Sequence, residues 1–302
     1  MTDPGASPLN TETNTETDTG TAPSADGGTR PGDTTGPRLV TREASIGYRG
    51  RVVAEDLSVE IPDGSFTAII GPNGCGKSTV LRALSRILPP SAGQILLDGK
   101  EIATYAPKEA ARRLGLLPQS SLAPDGIRVA DLVARGRAPY QNLIHQWRPS
   151  DEEAVRSALA ATRLTELSGR LVAELSGGQR QRVWVAMLLA QDTPIMLLDE
   201  PTTFLDIAHQ YELMELFRTL HEGGRTIVAV LRDLGQAARY ADHLVVMREG
   251  RVVTTGPPHT VITAELIDEV FGLRCLVVPD PVTGTPTVVP LDPRTVTTEG
   301  TR

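Results

Sequence analysis

Between Ile70 and Val80 the chain reads Gly71-Pro72-Asn73-Gly74-Cys75-Gly76-Lys77-Ser78-Thr79. Glycines spaced this way ahead of Lys-Ser fit G-x-x-x-x-G-K-[ST], a pattern suited to holding a chain of phosphates. Glycines let the backbone approach an anion closely, and the unpaired N–H groups of a helix start point at it with the helix dipole behind them. Lys77 is placed to neutralise the β- and γ-phosphates and the Ser78 hydroxyl to ligate Mg²⁺. A second group of reactive side chains closes the apolar run Ile195-Met196-Leu197-Leu198, namely Asp199 and Glu200. At the mouth of a buried strand Asp199 can hold Mg²⁺ through water, and Glu200 can polarise an attacking water. Ser176-Gly177-Gly178-Gln179 is another glycine-bearing helix start, hence a second anion site. Together these imply a nucleoside triphosphate as ligand.

These groups need elements to position them. Residues 65–70 read as a short buried strand entering the glycine loop. Beyond the loop, Val80, Leu81, Leu84, Ile87 and Leu88 recur at helical spacing until Pro89-Pro90 ends the run. Before the loop, residues 39–44, 52–53 and 57–61 are short β-like runs separated by turn residues, which predicts an antiparallel layer; residues 94–99 add a strand and a turn. From Gly115-Leu116-Leu117-Pro118-Gln119 the pattern becomes mainly helical. Ser150-Asp151-Glu152-Glu153 predicts a capping box, with the Ser150 hydroxyl accepting an N–H and Glu153 reaching back, at the head of a helix burying Val155, Leu159 and Leu164. Another helix starts near Ser176. The run 195–198 is apolar throughout, as in a sheet covered on both faces. A helix over 207–220 stops at Gly223-Gly224; a second buried strand covers 226–230, and a helix follows through Ala241. Residues 244–247 and 251–255 flank Glu249-Gly250 as a hairpin. Trp147 and Trp184 read as packing residues.

The ends differ in composition. Residues 1–37 are rich in Thr, Gly, Pro, Asp and Glu with almost no large apolar side chain, so they cannot offset the entropy of ordering and read as a disordered tail. Residues 274–302 form a C-terminal extension, and the segment from about Leu276 onward, rich in Pro, Thr and Val, reads as a loose strand or a tail. A net charge of −7 argues against an extensive nucleic-acid surface. No apolar stretch is long enough to cross a bilayer, and no secretory leader is visible at the N-terminus. Cys75 and Cys275 are the two cysteines; a disulfide between them is not expected, which fits a reducing cytosol. Cys75, beside Lys77 and a helix start, has the setting of a lowered thiol pKa, although a small filler at a variable loop position suits it better.

Taken together and in order, these motifs resemble the ATP-binding subunit of an ABC transporter over about residues 38–273. Leu175-Ser176-Gly177-Gly178-Gln179-Arg180-Gln181-Arg182 matches the signature motif; Asp199-Glu200 looks like the Walker B end with its catalytic Glu. Thr203-Phe204-Leu205-Asp206 resembles the D-loop, Gln119 sits where the Q-loop glutamine belongs, and Tyr48 sits where an aromatic stacks on adenine. An aromatic near a strand end serves equally well as core or rim, and a loop glutamine can simply face water, so for Tyr48 and Gln119 those readings stand beside the functional ones. The resemblance implies an α/β fold: an ABC ATPase with a RecA-like, mainly parallel sheet core, an antiparallel β layer and a helical signature subdomain at about residues 119–190. The implied catalytic residues are Glu200, Gln119 and Arg232, and the implied metal ligands are Ser78, Gln119 and Asp199. Nucleotide would be bound by Tyr48, Gly71, Asn73, Gly74, Cys75, Gly76, Lys77, Ser78, Thr79, Ser176, Gly177, Gly178, Gln179 and Asp206, with ATP and Mg²⁺ as cofactors. One phosphate loop with one signature implies a head-to-tail pair of ATP-binding subunits around two nucleotides, because the signature contacts the γ-phosphate held by the partner.

The stretch Leu132-Val133-Ala134-Arg135-Gly136-Arg137-Ala138-Pro139-Tyr140 and the run Pro201-Thr202-Thr203-Phe204-Leu205-Asp206-Ile207 are similar to importers of ferric siderophores, haem or cobalamin. That implies a peripheral subunit on the cytoplasmic face of the membrane, docked under a separate permease through the surface between Gln119 and about Trp147. A solute-binding protein outside the membrane would deliver the ferric chelate, and no nucleic-acid partner is implied. The chain departs from the family at Val230-Leu231-Arg232-Asp233-Leu234, where histidine normally precedes the Asp-Leu pair. Arginine supplies positive charge and a forked donor but is longer, always cationic and has no acceptor. It can also pair with Glu200 and take that carboxylate from its water, so the expectation is retained ATP binding with reduced hydrolysis. The alternative is a nucleotide-binding regulatory or assembly subunit with little hydrolysis. A soluble ABC ATPase of DNA repair or ribosome work would need coiled-coil insertions or a second cassette, and neither is seen.

Overall fold

The computed structural model describes residues 1, 36–48, 50–120, 122–142 and 147–292; the tail expected over residues 1–37 falls almost wholly outside them. The chain runs β1 (Leu39–Tyr48), β2 (Arg51–Ile61), β3 (Phe66–Ile70), α1 (Lys77–Leu84), β4 (Ala92–Leu97), β5 (Lys100–Glu101), α2 (Pro107–Arg113) and β6 (Leu114–Leu117). Next come α3 (Val129–Ala134), α4 (Pro149–Ala161), α5 (Gly177–Gln191), β7 (Ile195–Asp199), α6 (Ile207–Glu222), β8 (Thr226–Val230) and α7 (Leu234–Tyr240). The chain closes with β9 (His243–Arg248), β10 (Arg251–Gly256), α8 (Pro258–Val261), α9 (Ala264–Phe271), β11 (Cys275–Pro279) and β12 (Pro286–Pro290).

The central sheet has six strands in the order β10-β9-β3-β8-β7-β6. All its pairings are parallel except β9 with β10. Side chains alternate across it, so a strand buried on both faces must be apolar at every position. In β7, Met196 and Leu198 enter the core under α6, whereas Ile195 and Leu197 enter the core on the opposite face. β8 divides likewise, with Ile227 and Ala229 on the first side and Val228 and Val230 on the second. That second core is closed by a four-stranded antiparallel sheet, β2-β1-β4-β5, with Val80, Leu81 and Leu84 of α1 inside it. The expected mainly parallel core and antiparallel layer are both present. A third core, built on Leu132, Val133, Leu159, Leu164, Val183 and Ala186, holds α3, α4 and α5 together as the helical part.

Several local expectations are corrected. α1 ends at Leu84, capped by Ser85, and Ile87 is 63% exposed rather than on its buried stripe. The cap of α4 is not Ser150, which lies inside the helix: Asp151 accepts the Arg148 N–H at 3.0 Å and the Arg137 guanidinium at 2.8 Å. One carboxylate serves both bonds, one oxygen for each, and Arg137 and Asp151 form a buried ion pair. Trp147 is half exposed rather than packed, while Trp184 packs between the core under α6 and the helical core. The segment after residue 274 is neither loose nor a tail over its described length: β11 and β12 form a hairpin in full register, with Cys275 buried and Val277 and Val288 packed on the core. Leu164 is fully buried as expected, but from the turn after α4.

One charged cluster ties the antiparallel sheet to the rest. Asp98 takes Arg38 through Nε at 2.7 Å and Nη2 at 3.2 Å, and Arg113 through Nη1 at 2.9 Å. Burial pushes the Asp98 carboxyl up, but the Arg38 hydrogen bonds and the two guanidinium charges outweigh it and hold the group below its ordinary range. A lowered carboxyl pKa stabilises the fold fully above the unfolded-state pKa, and that contribution shrinks below it and is lost as pH falls through the folded-state pKa. Arg38→Ala is therefore expected to cost about 1–2 kcal/mol near neutrality, the scale of a partly exposed charged pair. The cost should shrink as pH drops below ~4. Thermal unfolding of both forms from pH 7 to 3.5 checks it, and a gap constant with pH contradicts it.

Candidate functional site

β3 delivers the chain into Gly71, whose φ of 151° and close approach to Met247 leave no room for a side chain: a Cβ would lie 2.1 Å from the Met247 carbonyl oxygen. Gly76 then opens α1 at φ 105°, again a conformation that favours glycine. The Gly250 N–H donates to the Cys75 carbonyl at 3.0 Å, fastening the loop to the β9–β10 turn. Lys77 is buried, and its Nζ donates to the carbonyls of Gly71 at 2.7 Å and Pro72 at 2.8 Å. The loop is thus curled round its own lysine, with the ammonium inside the curve. Cys75 Sγ lies 3.9 Å from that nitrogen and is buried, as a small filler would be.

Ser78 donates its hydroxyl to Asp199 Oδ1 at 2.7 Å across the β3–β7 end of the sheet. Asp199 is 2% exposed. Burial pushes its carboxyl above the ordinary range and the Glu200 charge adds to this, against the Ser78 hydrogen bond and the Arg82 and Lys77 charges. Two hard oxygens side by side are a donor set that fits Mg²⁺, and a cation there would relieve the cost of burying the Asp199 charge.

Glu200 leaves β7 in the left-handed region at φ 51°, which turns its side chain back over the strand ends, and its N–H donates to the Val230 carbonyl at 3.2 Å. Three donors converge on one of its carboxylate oxygens, Oε2. Gln119 Nε2 is at 2.8 Å, Thr203 Oγ1 at 3.2 Å, and Arg232 Nε forms an ion pair at 2.6 Å. The arginine at the histidine position therefore does reach the carboxylate. Gln119 presents its amide nitrogen to Glu200, and as a metal ligand it would use the remaining oxygen.

A cavity of about 270 Å³ is lined by Asn73, Gly74, Gly76, Lys77, Ser78, Thr79, Gln119, Glu200 and Arg232, with Val53. Most of the predicted phosphate and catalytic residues are thus brought together. Tyr48 is outside that lining: it is 40% exposed, and its hydroxyl accepts from Nη1 of Arg82, in the last turn of α1, at 3.1 Å. Ser176 caps α5 in a reciprocal box with Gln179, with bonds of 3.2 and 3.0 Å. Ser176, Gly178, Gln179 and Asp206 do not line the cavity, and Gly177 lines a neighbouring one with Gln119 and Phe204. Asp206 caps α6 by accepting the His209 N–H at 3.0 Å, which with the His209 ring holds its carboxyl below the usual range. Sequence reading placed Thr203 and Gln181 in motifs but gave neither its partner, Glu200 for Thr203 and the Pro201 carbonyl, at 3.0 Å, for the Gln181 amide, and it missed the Arg82 charge acting on Asp199. These contacts cross between elements, and only Thr203, three residues after Glu200 in a tight turn, carried a local signal.

Gly71→Ala should destabilise the fold by several kcal/mol or displace the loop, because the clash is with backbone rather than with a flexible side chain. Thermal unfolding and nucleotide titration of the variant check this; wild-type values in both would contradict the geometry.

Known proteins are similar to this chain in sequence and fold. The family described as ABC transporter matches residues 54–203. The ferric enterobactin transport ATP-binding protein of Escherichia coli K12 is 58% identical over 255 residues, covering 84% of this chain and 94% of that protein. The iron(3+)-hydroxamate import ATP-binding protein of Bacillus subtilis 168 is 43% identical over 255 residues, covering 84% and 95%. Among solved structures, an ATP-binding subunit of an ABC transporter superposes with a TM-score of 0.66 at 26% identity, covering 78% of this chain and 94% of that one. A cbiO1 subunit from Clostridium perfringens, part of an ABC transporter complex, gives 0.64 at 31% identity, covering 78% and 94%.

Proposed function

This chain belongs to the ATP-binding subunits of ABC transporters, and we propose that it drives import of a ferric siderophore or related chelate through a separate membrane permease. It is an ABC-type ATPase. The observation that carries the reading is the cavity in which Lys77, Ser78, Gln119 and Glu200 meet at the ends of parallel strands. The importer assignment is supported by what the similar Escherichia coli and Bacillus subtilis proteins are named for, ferric enterobactin and iron(3+)-hydroxamate transport.

In this reading Lys77 and the backbone N–H groups of the loop hold the phosphates, and Ser78 and Asp199 hold Mg²⁺, which supplies charge neutralisation. Glu200 orients the attacking water, while Gln119 and Thr203 hold the carboxylate in place. Ser176 to Gln179 and Asp206 stand clear of the chain's own cavity, which suits groups that act on nucleotide held by a second copy. Tyr48 would reach adenine from the rim. Arg232, paired with Glu200 at 2.6 Å, slows hydrolysis without preventing nucleotide binding.

The permease would dock in an apolar groove of about 590 Å³ whose lining includes Ile87, Pro107, Ala110, Leu116, Trp184 and Met187. The groove's lining includes Pro118, the residue before Gln119, so a helix seated there would press on the segment that touches Glu200. This adds residues before Gln119 to the docking surface expected over about 119–147, of which residues 121 and 143–146 lie outside the described ones. Among the described residues no helix is long and apolar enough to cross a membrane, so attachment at the cytoplasmic face would come through the permease. A solute-binding protein would present the ferric chelate on the other side.

Reconstitution with the permease in vesicles tests the function. ATP hydrolysis should rise when ferric chelate and its binding protein are supplied, and Lys77→Ala should abolish it. Hydrolysis indifferent to the permease and the chelate contradicts the import reading. In the same assay Arg232→His should turn over faster, by on the order of 10²-fold, the scale of a positioning or proton-transfer contribution. An unchanged rate removes the attenuation.

A further inference from the structure

α1 carries more than the phosphate cradle at its start. Lys77 and Ser78 open the helix, and Arg82 stands in its last turn. Residues four apart on a helix share a face, so Arg82 lies one turn along from Ser78, on the side that meets Asp199. Burial raises the Asp199 carboxyl, the Ser78 hydrogen bond opposes that, and the Arg82 charge opposes it next. The same guanidinium also reaches the antiparallel sheet. Its Nη1 donates to the Tyr48 hydroxyl at 3.1 Å, so one exposed side chain joins α1 to the end of β1. Val52 pairs with Gly47 and Ala54 with Ile46. Val53 between them lines the phosphate cavity, so Tyr48 stands a step or two along the hairpin from that lining. The ring itself is 40% exposed, and a side chain so placed loses rotamer freedom when a ligand orders it.

Resting on the reading that Tyr48 takes the adenine ring, we infer that Arg82 is a positioning residue for the nucleobase, pinning the Tyr48 ring to the helix that also holds the phosphates. A hydroxyl that accepts from Arg82 holds the ring by its edge and leaves the ring faces free for a flat aromatic ligand. The platform is then ordered before the nucleotide arrives, and stacking does not have to order it. Lys77, Ser78 and Arg82 share one helix, so the distance from base platform to phosphate cradle is set by α1 rather than by the end of a hairpin. Arginine suits the task, because its planar fork is preorganised and stays charged throughout the physiological range.

Two ligands that differ by the nucleoside test this. ATP and inorganic tripolyphosphate, each with Mg²⁺, are titrated calorimetrically into the full chain. The forms are wild type, Arg82→Met, Tyr48→Phe, Tyr48→Ala and the Arg82→Met/Tyr48→Phe double variant. Tyr48→Phe keeps the ring and removes the acceptor, and Arg82→Met keeps the aliphatic stem and removes the donor. Each should weaken ATP about threefold and leave tripolyphosphate within about twofold of wild type, the scale of one exposed charged hydrogen bond. The double variant should bind ATP no more weakly than either single one, because both remove the same contact. Tyr48→Ala, which removes the platform, should cost about tenfold for ATP alone. Arg82→Met that weakens both ligands equally places its charge on the phosphates and overturns the tether. Losses that add in the double variant overturn it as well. Wild-type ATP affinity in Tyr48→Ala overturns the adenine reading itself, whereas a loss there with wild-type affinity in Tyr48→Phe overturns only the tether.

Discussion

Four parallel strands ending at one edge of one sheet are the constraint on which the site depends. β3 ends at Ile70 and opens into the glycine loop; β6 ends at Leu117, two residues before Gln119. β7 ends at Asp199, and β8 ends at Val230, two residues before Arg232. Because β3, β8, β7 and β6 are neighbours in parallel register, their carboxyl ends align and put four short connections beside one another. The apolar filling of both faces makes that register costly to shift, since a slip of one residue would exchange Met196 and Leu198 for Ile195 and Leu197. Phosphate cradle, metal ligands, carboxylate and arginine are therefore placed by the same packing that stabilises the domain.

That arrangement also explains why burying Asp199 and Glu200 is tolerated. Each buried carboxylate is answered from another connection, Asp199 by Ser78 and Glu200 by Gln119 and Arg232, with Thr203 of its own turn adding a further contact to Glu200. The network extends past the site. Gln236 in α7 donates to Gln210 in α6 at 2.9 Å, and Gln210 donates to the Leu205 carbonyl at 2.9 Å. Through Asp233, which accepts the Gln236 N–H at 2.8 Å, the segment bearing Arg232 is tied to the loop that carries Phe204, itself 74% exposed. A part-buried chain of hydrogen bonds thus links the connection after β8 to the one after β7.

What was legible in the sequence was local. Glycine spacing around Lys77, unbroken apolar character in residues 195–198, and Ser176 followed three residues later by Gln179 each encode their conformation within one turn or strand. Asp98-Gly99 reads as a turn and Glu249-Gly250 as a hairpin, and in the structure both residues of each pair adopt positive φ. What was not legible depended on partners far along the chain. Asp151 rather than Ser150 caps α4 because Arg137 needs a carboxylate, and Ile87 leaves the helix to line a groove. The Arg232 side chain could be read as charged and forked, but whether it met Glu200 or solvent was a question of how β8 sits beside β7.

The central claim is that this subunit works as one half of a pair closed around ATP. Glu200→Gln protein with Mg²⁺ and ATP, measured by sedimentation alone and in the presence of its permease, tests it most directly. The account predicts a two-subunit species that requires ATP and dissociates with ADP. Protein that stays monomeric with ATP under both conditions contradicts it.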